Sequence, residues 1–359
     1  MEKIEKLRKK SIDIIKRIDS HDELEIVYST LKRSEIIGLC NTVITQKLHK
    51  INNAMDIRLS DVLTNTGISF DEIESFLQTI ITDGGTWDGR MLLNKTKSTF
   101  CLYPDDTPAH NTMCRAIARE LKGSLGYGAD QGPGEIMMIL TGKYLNLAVK
   151  GDIQLNGKSI EVKATTTNHK TGSRSGGRMV SNSDGYGSVT DIRRELLGYL
   201  TSCGITCNTL DQFGWPDRST RTQMGGLNLN LSGLSNLSNI FIDNKITRSQ
   251  AQEYFEIMSR GLYSYVDDKS IQNLVTSVKQ NSGFHSHTML TKINMMAFDY
   301  YKQQAGFDRL VLFNVETGIT YLMGHSRDLK HGIIENIVKF GSGVDWFDNR
   351  GKGSSQILV

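Results

Sequence analysis

The sequence feature that most constrains this chain is Asn156-Gly157, which lies between two runs of alternating apolar and polar residues. Asn-Gly favours a two-residue hairpin turn, because both central positions of that turn need positive φ. A two-residue turn also fixes the register of the two strands that it joins. The pattern therefore predicts an antiparallel pair in which Ile153 faces Ile160 and Asp152 faces Glu161.

The two faces of the predicted hairpin differ in chemistry, because successive side chains of a strand point to opposite faces. The predicted core face carries Ile153, Leu155, Ile160 and Val162. The other face carries Asp152, Glu161 and Lys163. The register makes Asp152 and Glu161 a non-hydrogen-bonded pair with Cα atoms roughly 4.5 Å apart, and carboxylates so placed repel each other. Without a cation between them, this repulsion predicts that Glu161→Ala raises thermal stability.

A divalent cation bound between Asp152 and Glu161 would offset the repulsion of the two carboxylates. Mg²⁺ prefers hard oxygen ligands at roughly 2.0–2.1 Å and completes its octahedron with water and substrate phosphate. Lys163 projects from the same predicted face, where it could hold or deprotonate a water or offset phosphate charge. The alternative interpretation is a surface hairpin whose charged residues are simply solvated.

Asp152, the hairpin and Glu161-Val162-Lys163 resemble the signature of the PD-(D/E)XK nuclease superfamily, although Gly151 stands where that signature prefers Pro. The resemblance implies an α/β fold, with a restriction-endonuclease-like mixed sheet flanked by helices. It implies Mg²⁺-dependent endonucleolytic hydrolysis of DNA, with Mn²⁺ able to replace Mg²⁺, and products that carry a 5′ phosphate and a 3′ hydroxyl. Asp152, Glu161 and the Val162 carbonyl would ligate the metal, and Lys163 would position or activate the attacking water.

Members of that superfamily often place a further glutamate on the helix before the first core strand. Glu135 lies at the matching position, in the segment 132–138. By resemblance, Glu135 would be a catalytic residue that binds a second metal ion or orients a water. The resemblance covers residues 133 to about 164, so the remainder of the chain is interpreted from its own pattern.

A cationic, hydroxyl-rich segment follows the hairpin at residues 165–178. Lys170, Arg174 and Arg178 are predicted to bind DNA phosphate oxygens. The alternative is a solvated loop, and such a loop can also become ordered on binding. Because the net charge of the whole chain is only +3, contact with a polyanion would depend on local patches of this kind.

Apolar residues at helical spacing predict a helical N-terminal domain over residues 1–84, which ends at Asp83-Gly84-Gly85. Residues 59–81 have the length of a helix-turn-helix, but the second helix opens with acidic residues that repel phosphate. That charge favours a structural or protein-contact role over DNA reading. Residues 85–359 are predicted to form the nuclease-like α/β domain, with an insertion at about 180–285.

The segment after the insertion is predicted to complete the core. A helix over residues 289–305 and a strand over 307–315 would supply the crossover that a nuclease-like sheet needs after its Glu-x-Lys strand. The aromatic residues of that helix, Phe298, Tyr300 and Tyr301, are predicted to be core residues. The pair His285 and His287 has the spacing of strand metal ligands and could form a zinc site with Cys203 and Cys207, but the close-spaced cysteine pairs of a familiar zinc site are missing.

The sequence also bears on location and partners. No apolar run is long enough to span a bilayer, and the N-terminus lacks an apolar signal segment. Five scattered cysteines favour reduced thiols in a cytoplasm, which would be the host cytoplasm for a phage-encoded protein. Two alternatives to the enzyme stay open: a non-catalytic nucleic-acid-binding or phage virion/assembly protein that keeps the nuclease fold, and an endonuclease subunit whose specificity lies in a partner. The resemblance also leaves open a homodimer, because restriction-like enzymes often dimerise to cut both strands.

Overall fold

A computed structural model describes residues 20–48, 55–94, 98–103, 106–121, 132–148, 152–167, 174–176, 178–182, 189–206, 227–229, 231–262, 267–346 and 352–359. Within these ranges the chain is a mixed α/β protein, as the sequence predicts. None of the helices found there combines the length and apolar composition that a membrane span requires.

Eleven α-helices lie in the described ranges. They are α1 His21–Leu48, α2 Met55–Thr64, α3 Phe70–Asp83, α4 Pro108–Glu120, α5 Pro133–Thr141, α6 Val189–Ser202, α7 Leu231–Asp243, α8 Arg248–Leu262, α9 Asp268–Val275, α10 Ser286–Ala305 and α11 Ser326–Ile334. A 3₁₀ helix occupies Gly89–Leu93. The helix predicted over residues 289–305 corresponds to α10, which begins three residues earlier.

The strands of the described ranges are also numbered in chain order. They are β1 Trp87–Asp88, β2 Thr99–Cys101, β3 Gly142–Lys143, β4 Asn146–Leu147, β5 Ile153–Leu155, β6 Lys158–Thr167, β7 Arg174–Gly176, β8 Arg178–Asn182, β9 Leu227–Leu229, β10 Arg309–Asn314, β11 Ile319–Met323, β12 Lys339–Trp346 and β13 Lys352–Leu358.

The chain divides into two compact units. Unit 1 comprises residues 1–91 and 102–147, and unit 2 comprises residues 92–101 and 148–359. The boundary predicted at residues 84–85 therefore lies inside unit 1. The glycines there do make a turn, since Gly84 ends α3 with φ 76°. That turn is held within the unit, because Lys47 Nζ donates hydrogen bonds to the carbonyls of Gly84 and Gly142.

Unit 1 is mainly helical, and α2 and α3 form the helix pair that the sequence predicts. Their connection is well defined, because Ser69 caps α3 in a capping box with Glu72, which satisfies backbone N–H groups that a helix start leaves unpaired. On α3 the apolar side chains at helical spacing are buried: Ile73, Phe76, Leu77 and Ile80. Strands β1 and β3 pair in parallel in this unit.

Unit 2 contains a mixed sheet of six described strands. Their order is β2-β11-β10-β6-β5, and β7 pairs with β6. Strands β5 and β6 are antiparallel, whereas β10 lies parallel to β6. A parallel neighbour needs a crossover connection, and α10 precedes β10 directly. The crossover predicted from the segments 289–305 and 307–315 is present in this form.

A second sheet of unit 2 has the order β8-β13-β12-β9 and is antiparallel. Two of its strands, β8 and β9, come from the region of the predicted insertion, and the other two come from the C-terminal segment. Strands from the insertion therefore share a sheet with the chain's last residues.

Helix α10 packs on one face of the six-stranded sheet. The parallel register sets Leu310 beside Glu161 and Leu312 beside Lys163, so these four residues share a face. Leu310 and Leu312 belong to the same buried apolar cluster as Ile293 and Ala297 of α10. The face that carries Glu161 and Lys163 is therefore covered by a helix rather than by solvent.

Candidate functional site

The Asn156-Gly157 hairpin forms with the register that the sequence predicts. Ile153 pairs with Ile160, Gln154 with Ser159 and Leu155 with Lys158. Asn156 and Gly157 have φ values of 50° and 74°, as a turn with two positive-φ positions requires. The predicted core residues Ile153, Leu155, Ile160 and Val162 are all at most 2% exposed. The register and the core face are thus confirmed.

Asp152 departs from the predicted pairing. The ladder ends at Ile153, and Asp152 lies in a bend before the strand. Its backbone N–H donates to the Ile160 carbonyl at 3.1 Å. Its Oδ2 accepts a hydrogen bond of 2.7 Å from the Val162 N–H. The prediction that Asp152 directly opposes Glu161 as a ladder pair is therefore wrong, because the chain bends and the Asp152 carboxylate turns to the strand backbone.

The bend nevertheless brings the Asp152 carboxylate close to the other two predicted residues. Val162, whose N–H it accepts, is the residue between Glu161 and Lys163. A strand places the side chains of neighbouring residues on opposite faces, and Glu161 and Lys163 share the face covered by α10. The three predicted residues thus gather at one short segment of β6.

Glu161 is the centre of a buried hydrogen-bonded cluster. Lys163 Nζ donates to Glu161 Oε1 at 2.6 Å, and the Tyr301 hydroxyl donates to the same oxygen. The side chains of Glu161 and Lys163 are 7% and 21% exposed. Lys163 Nζ also lies 5.4 Å from the centre of the Tyr301 ring, a favourable arrangement for a cation and an aromatic face.

The charges of this cluster follow from its partners. Burial alone lowers the pKa of Lys163, but attraction to Glu161, with further contributions from Tyr301 and Asp152, outweighs it and raises that pKa above the ordinary lysine value. Burial raises the pKa of Tyr301, and Glu161 acts in the same direction while Lys163 opposes it. Near neutral pH the cluster therefore holds an ammonium ion and a protonated phenol.

Tyr301 is the member of the cluster that the sequence does not reveal as a site residue. It lies on α10, 140 residues beyond Glu161, and its spacing from Ile293 and Ala297 indicates only a core position. The signal that could have identified it is a polar tip on an otherwise apolar helix stripe, because buried tyrosine hydroxyls usually find a hydrogen-bond partner.

The remaining predicted site residues lie on other elements of the chain or outside the described residues. Glu135 is buried in the first turn of α5, which belongs to unit 1, so its catalytic role stays a prediction. Lys170 lies outside the described residues. Arg174 begins β7 and pairs with Thr167 of β6, whereas Arg178 begins β8 and pairs with Gln356 in the second sheet. Part of the predicted loop is therefore strand, and DNA contact by these three residues stays a prediction.

The cluster contains two side chains that could ligate a metal ion. Asp152 and Glu161 supply two carboxylates, and each carboxylate accepts several hydrogen bonds or ligand bonds. Mg²⁺ is commonly held by one or two carboxylates together with waters and substrate phosphates, so this donor set fits Mg²⁺. Within the described ranges there is no group of three or more His, Cys, Asp or Glu side chains suited to a metal ion.

The histidine pair has an ordinary structural setting. His285 precedes the first residue of α10, and the ring of His287 lies 5.4 Å from that of Phe340. Cys207 is outside the described residues.

Comparisons of this chain with protein-family models, with curated proteins and with solved structures found no significant match.

Proposed function

We propose that this chain is a Mg²⁺-dependent DNA endonuclease that hydrolyses phosphodiester bonds and that its six-stranded sheet is a restriction-endonuclease-like core. One observation carries the proposal: the Asp152 carboxylate, the Glu161 carboxylate and the Lys163 ammonium gather at residues 161–163 of β6. The resemblance of these residues to the PD-(D/E)XK signature suggests the same activity, and this clustering is the arrangement that the activity would need.

The topology around the site supports the proposal. The Glu-x-Lys strand β6 follows a tight hairpin, receives β10 as a parallel neighbour, and is covered by the crossover helix α10. An α/β fold of this kind can serve many functions, so the topology is consistent with the activity and the residues of the site carry it.

In this proposal Asp152 and Glu161 hold Mg²⁺, together with the Val162 carbonyl. When bound, Mg²⁺ would supply positive charge that polarises the scissile phosphate and favours a nucleophilic water. Tyr301 would fix the orientation of the Glu161 carboxylate, because its hydroxyl donates to Oε1. A carboxylate held in one rotamer loses less entropy when it binds a ligand.

Lys163 would act as a fixed positive charge. Because its pKa is raised by Glu161, it carries a proton near neutral pH and serves as a hydrogen-bond donor rather than as a general base. An ammonium at this position would orient the attacking water or stabilise charge that develops on the phosphate in the transition state.

The test is a cleavage assay on supercoiled, linear and branched DNA, with the purified chain in Mg²⁺, Mn²⁺ or EDTA. We expect cleavage in both metal ions and none in EDTA. Asp152→Ala and Lys163→Ala should each lower the rate at least about 100-fold, since single electrostatic or acid–base contributions are of this size. The matched control is Lys158→Ala, which removes a lysine of the same strand that pairs with Asp308 at the surface, and it should cleave normally.

The outcomes separate the alternatives. Cleavage that disappears in Asp152→Ala and Lys163→Ala but persists in Lys158→Ala supports the enzyme. Equal activity in all variants would identify a contaminating nuclease and contradict the proposal. Unchanged DNA binding without cleavage in any metal ion would support a non-catalytic protein.

One observation favours that non-catalytic alternative, a nucleic-acid-binding or phage virion/assembly protein that retains the nuclease fold. Glu161 Oε1 already accepts hydrogen bonds from both Lys163 and Tyr301. A buried ion pair with a tyrosine partner can be purely structural, because its members satisfy one another's charge and hydrogen-bonding capacity without any catalytic role. In that case DNA binding, and not hydrolysis, would be the measurable activity.

A further inference from the structure

A second concave site lies on the outer side of α10, away from the strand β6. The cleft has a volume of about 440 Å³ and is bounded by α9, α10 and α11. The lining residues on α10 recur at helical spacing, from His287 to Asp299, and they alternate along the helix with residues such as Ile293 and Ala297 that pack in the core. Its volume is within the range of small-molecule sites, which is about 300–1,000 Å³.

One end of the cleft is basic. Lys292 of α10 and Lys330 of α11 both line it, and so does His287, which lies five residues before Lys292 on α10. Lys292 Nζ is directed by hydrogen bonds to the Asn273 carbonyl and to Thr276 Oγ1. Neither lysine pairs with a carboxylate within the described part of the chain. Burial and the neighbouring Lys330 together lower the pKa of Lys292, which is the effect expected of two cations that share a site without a counter-charge.

The other end of the cleft presents hydrogen-bond acceptors. Asp299 of α10 and Ser326 of α11 both line it. Burial raises the pKa of Asp299, and repulsion by Asp267 adds to the rise while Ser326 opposes it. Asp299 is seven residues beyond Lys292 on α10, so the two ends are about 10 Å apart along the helix axis.

An apolar floor joins the two ends. Met295 and Met296 of α10 and Ile333 and Ile334 of α11 line the middle of the cleft. Met296 and Ile333 are buried in the core below, whereas Ile334 is exposed at the rim. Thioether and branched aliphatic groups offer a surface that suits a flat ring.

From this arrangement we propose that the cleft between α9, α10 and α11 binds a nucleoside monophosphate, with the phosphate at Lys292 and Lys330, the base on the apolar floor, and a base amino group at Asp299. The basic end, the apolar floor and the Asp299 end of the cleft follow one another in the same order as the phosphate, the base and the base amino group of the ligand. An anionic group would offset the charges of Lys292 and Lys330, a ring would cover Met295 and Ile333, and an exocyclic amine would donate to the Asp299 carboxylate. Adenine and cytosine carry such an amine, and thymine does not.

The inference is independent of the proposed nuclease activity, because none of the residues that line this cleft belongs to the Asp152–Glu161–Lys163 site. Binding can therefore be measured in the absence of Mg²⁺ and without any cleavage. A failure of the nuclease assay would leave this inference standing, and the reverse also holds.

The experiment is isothermal titration calorimetry of the full chain in EDTA with dAMP, dCMP, dTMP and inorganic phosphate, each as a separate titrant. We expect dAMP and dCMP to bind at least about tenfold more tightly than dTMP and phosphate, the factor that one hydrogen bond to a charged group supplies. A single-stranded oligonucleotide with a terminal adenine separates the two sources of the ligand. Tighter binding of the oligonucleotide than of dAMP would assign the cleft to a strand end, and weaker binding would assign it to the free nucleotide.

Three variants localise the binding. Lys330→Ala removes an exposed cation without disturbing a buried group, and we expect it to weaken dAMP about tenfold. Asp299→Asn should reduce the preference for dAMP over dTMP while leaving phosphate affinity unchanged. The matched control is Lys269→Ala, which removes an exposed lysine of α9 that does not line the cleft, and it should bind as the unmodified chain does.

Three results would overturn the inference. The first is no binding of any nucleotide at millimolar concentration. The second is phosphate affinity equal to that of dAMP, which would mark a simple anion site. The third is an equal loss of affinity in Lys330→Ala and Lys269→Ala, which would mark nonspecific attraction to surface charge.

Discussion

Each of the two units shields a lysine from most of the solvent, and the pKa values of the two lysines shift in opposite directions. Lys47 of unit 1 is 8% exposed, and its described partners are the backbone carbonyls of Gly84 and Gly142. Lys163 of unit 2 is also largely buried, but its partner is the Glu161 carboxylate. Burial lowers the pKa of Lys47 to about 8, whereas the pKa of Lys163 is raised.

The difference teaches that burial does not by itself fix the charge of a lysine. Both ammonium groups lose water, which disfavours the charged form. At Lys47 the backbone carbonyl dipoles compensate for only part of the lost hydration. At Lys163 the Glu161 carboxylate and the Tyr301 phenol more than compensate for it. A largely buried lysine that stays protonated over a wide pH range therefore needs a carboxylate beside it. In the candidate site, Glu161 is that carboxylate.

The largest effect is expected when that carboxylate is removed. Glu161→Ala leaves Lys163 as a buried cation without its counter-charge, and such changes lower the free energy of unfolding by about 3–5 kcal/mol. This reverses the expectation of Glu161→Ala stabilisation that follows from Asp152–Glu161 repulsion alone. Urea denaturation with metal-free protein measures the change, and Glu195→Ala, at an exposed position of α6, is the control. Increased stability of Glu161→Ala would restore the repulsion model.

A second effect depends on pH and should come from Lys47. Its folded pKa of about 8 lies below the unfolded value of about 10.4, so between these pH values the unfolded chain binds more protons and the free energy of unfolding rises with pH. The rise is at most about 3 kcal/mol across the window, because one pKa unit corresponds to about 1.4 kcal/mol.

The pH effect sharpens the comparison, because Lys163 should contribute nothing to it. A raised folded pKa gives stability that is fully present below the unfolded pKa and is lost only at higher pH. The measurement is the difference in urea stability between the unmodified chain and Lys47→Met at pH 7.5, 9 and 10.5. A constant difference would show that Lys47 does not titrate in this window.

A smaller effect is expected from the phenol. Tyr301→Phe removes one hydrogen bond to the charged Glu161, which should lower the free energy of unfolding by about 2 kcal/mol. The control on the same helix is Tyr300→Phe, because the Tyr300 hydroxyl accepts a hydrogen bond from the neutral Gln304 amide. Equal losses in both variants would mean that the Tyr301 contact with Glu161 has no special strength.

The smallest effect is expected for Lys47→Met at pH 7. Loss of the two hydrogen bonds to Gly84 and Gly142 destabilises unit 1, but removal of a buried charge offsets most of that loss. We expect a net decrease of about 1 kcal/mol in the free energy of unfolding. A decrease as large as that of Glu161→Ala would contradict the distinction drawn between the two lysines.

The parts of the fold that the sequence predicts well are those set by local rules. The Asn156-Gly157 turn fixes the register of β5 and β6 within a few residues of chain. The apolar stripe and the glycine after it identify α10, which ends at Gly306 with φ 70°. The helical pattern and the strand pattern that follows it identify α10 and β10 as elements, whereas their place as a crossover beside β6 is implied by the resemblance to the nuclease core.

The parts that the sequence could not provide depend on contacts between distant residues. Asp152 leaves the ladder, and its carboxylate accepts a hydrogen bond from the Val162 N–H. The alternation of side chains along a strand does not predict such a contact. Tyr301 contacts Glu161 only because α10 packs on the sheet in the folded chain, and the sequence does not show that packing. The turn at residues 84–85 resembles a linker, and only the contacts of Lys47 show that it lies inside a unit.

The pairing of β6 with β10 has a consequence for synthesis of the protein on the ribosome. Lys158 at the start of β6 bonds to Asp308 beside β10, and these residues are 150 positions apart. At 5–20 residues per second, the ribosome needs roughly 8–30 s to synthesise the chain from Lys158 to Asp308. During that interval one edge of β6 keeps unpaired N–H and C=O groups, which is the kind of edge that captures other chains. Nascent chains of this protein should therefore depend on chaperones most strongly after β6 has emerged and before β10 appears.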